Sequence, residues 1–159
     1  DRSPLGRQWF STADDRLLDQ GQSSMETAAS ILNAFIKAEL ERTNLNFDHI
    51  SIVGFSQGAM MALHVALRFP KPVAAIVGYS GKLIAPDRIV EDIRVRPPTL
   101  LVHGDADTVV PFKSMAIATS ALTAVGLPVK SISRPGLGHS IDTEGLLIGG
   151  EFLREHLVV

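Results

Sequence analysis

The stretch ISIVGFSQGAMMAL at residues 50–63 decides the fold, because a short apolar run passes directly into a helical pattern. Residues 50–55 are largely apolar and β-branched, which is typical of a strand buried on both faces of a sheet. After them the apolar residues recur at helical spacing until Pro70 ends the pattern: Ala59, Met60, Leu63, Ala66 and Leu67. The stretch therefore predicts a strand that turns sharply into a helix.

The same unit recurs along the chain. Short apolar runs predict further strands at residues 73–79, 99–102 and 129–133, and helical patterns lie at 112–125 and 143–157. Strands separated by helices need crossover connections, and these produce a parallel sheet. We therefore expect one α/β domain over residues 1–159, with a mainly parallel sheet of about four strands and flanking helices.

The amino-terminal part has a different pattern. Residues 1–22 contain scattered Pro, Gly and polar residues and are predicted to be irregular. Ser23 and Glu26 then match the S-x-x-E form of a capping box, followed by apolar residues at helical spacing. This pattern predicts a helix over about residues 24–43.

Composition excludes several classes of function. The 159 residues carry a formal charge of −2, without a basic cluster that would attract nucleic acid or an anionic membrane surface. No apolar run approaches the roughly 18 residues that a membrane helix needs. The chain contains no Cys, which removes disulfides, thiolate metal sites and a Cys nucleophile, and agrees with a cytoplasmic location.

Gly54 to Gly58 form a G-x-S-x-G pattern at the point where the first strand meets its helix. In that setting the pattern predicts a nucleophile elbow: a strained turn that projects Ser56 from the sheet edge, with glycines leaving room for strand and helix. The N–H of Gln57, at the helix start, would face a developing oxyanion. The alternative interpretation is that Ser56 only caps the helix.

A nucleophilic Ser needs a base, and five His residues compete for that role. His139 lies in the glycine-rich loop GLGHS after the last strand, where it can point back over the strand ends, and we favour it. The other four are placed elsewhere: His49 before a strand, His64 and His156 on helices, and His103 at the end of a strand as a buried, hydrogen-bonded residue.

The acid that orients the base is expected in HGDADTVVP at residues 103–111. Asp105 follows the strand at once and is a natural turn residue, whereas Asp107 lies further along the loop, nearer to His139. We favour Asp107 and keep Asp105 as the alternative. The order Ser56, Asp107, His139 is that of an α/β-hydrolase.

Other motifs carry less weight. GYSG at residues 78–81 also places a Ser between glycines, but no helical pattern follows it, so Ser80 is expected to be a loop residue. The sequence contains neither H-E-x-x-H nor G-x-G-x-x-G, and we expect no metal and no cofactor. Three apolar residues near the motifs are candidates for binding the substrate: Phe55, Leu83 and Leu137.

GFSQGA at 54–59, HGDADTVVP at 103–111 and GLGHS at 136–140 resemble the phospholipase/carboxylesterase family of α/β-hydrolases. The resemblance implies a serine hydrolase that cleaves acyl esters or thioesters of small molecules or lipids. It places the nucleophile at Ser56, the acid at Asp107, the base at His139 and an oxyanion donor at the Gln57 N–H. The competing hypothesis is a non-catalytic binding module on an incomplete scaffold.

One departure from the family concerns the start of the chain. Family members carry several strands and an oxyanion-binding His-Gly loop before the segment similar to RQWFS at 7–11, and residues 1–22 resemble neither. We therefore expect this chain to be the carboxyl-terminal portion of a longer protein, with strand 50–55 at the sheet edge. Such an edge strand would invite a second copy to pair with it as a homodimer.

Overall fold

The computed structural model describes residues 2–3, 6–10 and 18–157. The chain divides into two compact units, Asp1–Asn44 and Leu45–Val159. In the first, β1 (Arg2–Ser3) pairs antiparallel with β2 (Gly6–Arg7), and α1 spans Leu18–Thr43. The expected irregular stretch and the helix start at residue 24 are therefore wrong. The capping-box pattern did not mark a helix start, because Ser23 lies inside α1, while residues 11–17 are outside the described part.

The second unit is built on a four-stranded sheet in the order β3-β4-β5-β6, and all three strand pairs are parallel. The strands are β3 (Ser51–Phe55), β4 (Ala75–Tyr79), β5 (Thr99–Gly104) and β6 (Val129–Arg134). The helices are α2 (Gln57–Ala66), α3 (Ile89–Asp92), α4 (Lys113–Ala124) and α5 (Thr143–His156). The predicted α/β class and parallel sheet are confirmed, and each strand starts and ends within two residues of its expected bounds.

The core of this unit lies at the two central strands. Every residue of β4 and β5 is buried, and an apolar cluster around Val77, Leu100 and Val102 packs against residues of α5. Strand β3 is at one edge of the sheet, as expected, and its Val53 is 54% exposed. Continuous burial on both faces thus belongs to β4 and β5, and the prediction of a strand buried on both faces at residues 50–55 is wrong, because only Gly54 of β3 is fully buried.

The connection after β4 contains little regular structure. Residues Pro86–Arg88 form one turn of 3-10 helix that leads into the single turn of α3. Leu83 and Ile89 are buried, whereas Val90 is 72% exposed. This segment is thus anchored by two apolar side chains that face the interior of the unit.

The parallel register brings the functional candidates to one edge of the sheet. Phe55 is paired with Tyr79, and Tyr79 with Val102, so the residues that follow these three meet side by side at the carboxyl end of the sheet. Backbone hydrogen bonds continue this alignment, since Ser56 N donates to Tyr79 O and Ser80 N donates to Val102 O, both at 2.9 Å. In parallel α/β sheets this is the edge where ligands bind.

Among the described residues, no helix combines the length and the apolar character needed to cross a bilayer.

Candidate active site

Ser56 occupies the turn between β3 and α2 in a strained backbone conformation, with φ 54° and ψ −121°. Its carbonyl accepts the first helical hydrogen bond from Met60 N at 3.1 Å, but its side chain makes no capping hydrogen bond. Ser56 therefore occupies the N-cap position of α2 without capping the helix through its side chain, and its positive φ agrees with the expected strained turn. Such strain of about 1–3 kcal/mol persists only where the surrounding structure enforces it.

The glycines flanking Ser56 are needed because β3 and α2 approach closely. A Cβ atom at Gly54 would lie 2.3 Å from the carbonyl oxygen of Gly58, a distance at which the backbone itself would have to move. The strand and the helix touch through their main chains at this point, and this contact holds the turn in place.

His139 links the turn at Ser56 to the loop after β5. Its Nε2 is 3.0 Å from Ser56 Oγ, and its Nδ1 is 2.8 Å from Asp107 Oδ2. A carboxylate only accepts hydrogen bonds, so Nδ1 carries the hydrogen and Nε2 is left to accept the hydroxyl proton of Ser56. The imidazole also lies against the Phe55 ring, with 4.8 Å between ring centroids.

Asp107 is buried, and its carboxylate accepts hydrogen bonds from two backbone N–H groups and from His139. Oδ1 accepts from the backbone N–H groups of Val109 and Val110, each at 2.9 Å, and Oδ2 accepts from His139. Burial raises the pKa of Asp107, but the hydrogen bonds from His139, Val110 and Val109 outweigh it, so the pKa lies below its usual value. The carboxylate is therefore ionised at neutral pH.

Asp105, the alternative acid, has a different partner. Its Oδ1 accepts from the backbone N–H of Gly136 at 2.7 Å, so it ties the loop after β5 to the loop that carries His139. The same two loops are joined by Ala106 N, which donates to Leu137 O at 3.0 Å. A Cβ at Gly104 would lie 2.1 Å from Leu137 O, which shows how closely the loops pack.

The base of the His139 loop is closed by an ion pair. Arg134 Nε is 3.0 Å from Asp142 Oδ2, and the same guanidinium also contacts Glu144. Asp142 in addition caps α5, because its Oδ1 accepts from Gly145 N at 2.8 Å. The loop that carries His139 is thus held at its two ends by the Arg134–Asp142 ion pair. In its middle it is held by the contacts of Gly136 and Leu137 with the loop after β5.

The other histidines lie in separate environments. His49 contacts Asp48 and His156 contacts the carbonyl of Phe152, while His64 lies half-buried on α2. The expectation that His103 is a buried, hydrogen-bonded residue is confirmed, since it is 2% exposed and its Nε2 is 2.9 Å from Val110 O. Sequence reasoning missed that His103 also lies 3.3 Å from Asp107, although their four-residue spacing across one turn was a signal.

The remaining candidates lie in different environments. Gln57 is the first residue of α2, Phe55 is 38% exposed, and Leu137 is half-buried in the His139 loop. Leu83 is buried, at 6% exposure. Ser80 follows β4 with φ 47° and is buried, and no helix starts directly after it, so the expectation of a loop residue there is confirmed.

In the part of the chain that the structure describes, no group of three or more His, Asp or Glu side chains is placed to hold a metal ion.

A parallel sheet with a strained Ser turn, a loop Asp and a loop His at its carboxyl edge is the architecture of an α/β-hydrolase. Comparison with known proteins gives the same fold. The solved structure of esterase PE8 matches with a TM-score of 0.89 and 39% identity, covering 98% of this chain and 73% of that one. The chain belongs to the phospholipase/carboxylesterase family, whose model matches residues 2–157.

Curated relatives include two kinds of named protein. Acyl-protein thioesterase 1 of Neurospora crassa is 30% identical over 144 residues, which is 87% of this chain and 58% of that protein. A probable carboxylesterase of Oryza sativa, Os04g0669500, is 30% identical over 141 residues, 87% of this chain and 53% of that protein. The chain thus spans little more than half the length of these relatives.

Proposed function

We propose that the protein is a serine hydrolase that cleaves carboxylic esters or thioesters through an acyl-enzyme on Ser56. The observation that carries this proposal is the continuous hydrogen-bond path from Ser56 Oγ through His139 to Asp107, with distances of 3.0 Å and 2.8 Å. A hydroxyl becomes a useful nucleophile when a base can take its proton and an acid holds that base in the correct tautomer.

In the first half of the reaction, Ser56 Oγ attacks the acyl carbonyl carbon while its proton moves to His139 Nε2. The carbonyl oxygen becomes an oxyanion, for which the backbone N–H of Gln57 is the donor that we infer. The ionised Asp107 stabilises the imidazolium that forms. Collapse of the tetrahedral intermediate breaks the bond to the alcohol or thiol, which leaves with the proton from His139.

In the second half, water replaces the leaving group. His139 Nε2 removes a proton from water as the water oxygen attacks the acyl-enzyme carbonyl, and the oxyanion forms again. When this intermediate collapses, Ser56 Oγ recovers the proton from His139 and the carboxylic acid is released. The protein returns to its starting state, and no step uses a cofactor.

The substrate class follows from the leaving groups that this chemistry accepts. Among the relatives, one is named an acyl-protein thioesterase and another a probable carboxylesterase, which supports acyl thioesters and esters of small molecules or lipids as substrates. We infer that Phe55, whose ring lies against His139, and Leu137, two positions before His139, contact the acyl chain. Leu83 stays a predicted contact with the substrate. Because its side chain is buried, it would act by packing beneath the residues that line the pocket.

A fluorophosphonate probe and p-nitrophenyl butyrate test the proposal together. We expect the probe to modify Ser56 and the ester to be hydrolysed, and both activities to be lost in Ser56→Ala. Ser80→Ala is the matched control, because Ser80 also lies between a strand end and a glycine, and labelling should persist in that variant.

The outcomes separate the two hypotheses. Labelling that survives Ser56→Ala means that the nucleophile is wrong. A folded protein without labelling or turnover on the ester and on an S-acyl peptide supports the non-catalytic binding module instead.

Three further predictions stay open to test: a single domain over residues 1–159, a cytoplasmic location and a homodimer. Limited proteolysis tests the first, fractionation of the producing cells tests the second, and sedimentation at several protein concentrations tests the third.

A further inference from the structure

A second histidine lies beside the carboxylate of Asp107. His103, near the end of β5, is 2% exposed, and its Nε2 lies 3.3 Å from Asp107 Oδ2. The side chain of Asp107 is 0% exposed, so it has no solvent to compensate its charge. A buried charge is stable only where donors and dipoles replace the lost water.

The contacts of His103 fix which of its nitrogens carries hydrogen. Nε2 is 2.9 Å from the carbonyl oxygen of Val110. A carbonyl has no hydrogen to donate, so Nε2 must be the donor, and a neutral imidazole with this hydrogen has none on Nδ1. The ring is further held edge-on against Phe112, with 6.0 Å between centroids and an interplanar angle of 77°.

Val110 connects His103 to Asp107 through both of its backbone groups. Its N–H donates to Asp107 Oδ1 at 2.9 Å, and its C=O accepts from His103 Nε2 at the same distance. The imidazole of His103 therefore holds the turn around the Asp107 carboxylate by binding the carbonyl of Val110. Without His103 this contact to the Val110 carbonyl is lost, and the N–H that faces Asp107 can move with it.

The Nε2–H group of His103 also has an electrostatic effect on the other carboxylate oxygen, Oδ2. Its positive end lies close to Asp107 Oδ2, the oxygen that accepts from His139 Nδ1. A dipole fixed in this position favours the ionised carboxylate and defines where Oδ2 lies. That position in turn sets the orientation of the His139 ring.

We propose that His103 is a positioning residue: through its Nε2–H it fixes the turn at Val110 and holds the Asp107 carboxylate in the orientation that His139 needs. The inference rests on the proposed function, in which Asp107 orients the base, and it deepens the description of that site. His103 does not touch the reacting atoms and acts only through Asp107.

Two substitutions at one position test the inference. His103→Leu removes the donor, whereas His103→Gln places an amide nitrogen as many bonds from Cβ as Nε2 and so retains a donor. We expect the rate of Ser56 modification by the fluorophosphonate to fall by about 10- to 100-fold in His103→Leu and to recover in part in His103→Gln. The apparent pKa in the pH–rate profile should shift downward in His103→Leu, because a less well placed carboxylate stabilises the imidazolium less.

His156 provides a matched control. Its Nδ1 also contacts a backbone carbonyl, that of Phe152 at 2.8 Å, but it lies near the end of α5. His156→Leu removes a His–carbonyl contact of the same kind, and we expect an unchanged pH–rate profile.

The results distinguish the inference from the proposed function. If wild-type protein is modified at Ser56 but His103→Leu has the same rate and pH profile, the inference is wrong while the function stands. Equal losses in His103→Leu and His103→Gln without a shift of the profile indicate a purely structural role and also overturn it. If wild-type protein is not modified at all, the proposed function itself has failed.

A measurement on the unaltered chain covers the case in which the variants do not fold. Nitrogen-15 chemical shifts distinguish the two neutral tautomers of an imidazole. We expect His103 to carry its hydrogen on Nε2 in the folded protein, and hydrogen on Nδ1 alone would contradict the inference.

Discussion

The carboxylate of Asp105 accepts a hydrogen bond from the backbone N–H of Gly136 at 2.7 Å, across 31 positions of sequence. This contact joins the loop that carries Asp107 to the loop that carries His139. Two aspartates two positions apart therefore have different tasks, since one faces the imidazole and the other holds the loop on which the imidazole is mounted.

The two aspartates should respond differently to substitution. Asp107→Asn retains shape but loses the charge and allows the wrong imidazole tautomer, and we expect kcat to fall by about 10⁴-fold. Asp105→Asn keeps an acceptor for Gly136 and should cost less than about tenfold in kcat/KM, with a loss of stability of about 1 kcal/mol. Steady-state ester hydrolysis and urea unfolding of both variants provide the measurement. If Asp105→Asn lost more activity than Asp107→Asn, the roles that we assign to the two aspartates would be reversed.

The backbone strain at Ser56 predicts a difference between two inactive variants. Ser56→Ala and Ser56→Gly both lose the hydroxyl and its contact with His139, but only glycine tolerates φ 54° without a steric cost. We expect Ser56→Gly to be more stable than Ser56→Ala by about 1–2 kcal/mol. Chemical denaturation of the two proteins side by side tests this, and equal midpoints would show that the turn is not strained.

Two adjacent glycines of α5 should have opposite effects when replaced by alanine. A Cβ at Gly149 would lie 1.9 Å from the hydroxyl oxygen of Tyr79, whose O–H donates to Gly145 O at 3.1 Å. A Cβ at Gly150 meets nothing within 4 Å. We expect Gly149→Ala to destabilise the fold by about 1–3 kcal/mol and Gly150→Ala to stabilise it by about 0.5–1 kcal/mol.

Thermal unfolding of these two variants is the measurement. Adding Tyr79→Phe to Gly149→Ala removes the clashing oxygen and should recover part of the loss. A Gly149→Ala protein as stable as Gly150→Ala would contradict the packing described for α5.

The low pKa of His64 predicts that the free energy of unfolding depends on pH. Burial, and secondarily the charge of Arg68, lowers the pKa of His64 to about 4 from 6.5, against an opposing effect of Asp92. Between these values the unfolded chain binds a proton that the folded chain does not, so stability decreases as the pH falls from 6.5 toward 4. The same residue has a buried Nδ1 without a hydrogen-bond partner, which agrees with a cost of charging it.

Urea unfolding of wild-type protein and His64→Gln at about pH 7 and about pH 5 tests this relationship. Glutamine stays neutral at both values, so the variant should lose less stability on acidification. The difference is expected on the order of 1 kcal/mol after allowance for partial screening by solvent. Identical losses in the two proteins would assign the pH dependence to other groups.

The fold was largely predictable because its decisive elements are local. Strands β4 and β5 are buried throughout, so their apolar runs stand out from the sequence, and the glycine pattern at Ser56 lies where such a run ends. The start of α1 was not predictable in this way. A capping-box pattern at Ser23 is equally compatible with the interior of a longer helix, and the two-residue strands β1 and β2 are too short to produce any periodicity.

The supporting contacts of the site were beyond sequence reasoning for a different reason. The contact of Asp105 with Gly136 joins two loops, and that of His103 with Val110 depends on how one loop folds back on its strand. Residue type and strand order pointed to Ser56, Asp107 and His139, whose side chains lie within hydrogen-bonding distance because parallel strands bring their carboxyl ends to one edge. It gave no information on which hydrogen-bond donors surround the carboxylate.

The main-chain contact between Gly54 and Gly58 limits where this scaffold can change. A helix that touches its strand through backbone atoms has little room to shift, so Ser56, the proposed nucleophile, should keep its position whatever substrate is offered. We expect adaptation to a new acyl chain to fall instead on the loops that carry the proposed substrate contacts Leu83 and Leu137. Libraries that seek altered selectivity should vary those loops and leave both glycines untouched.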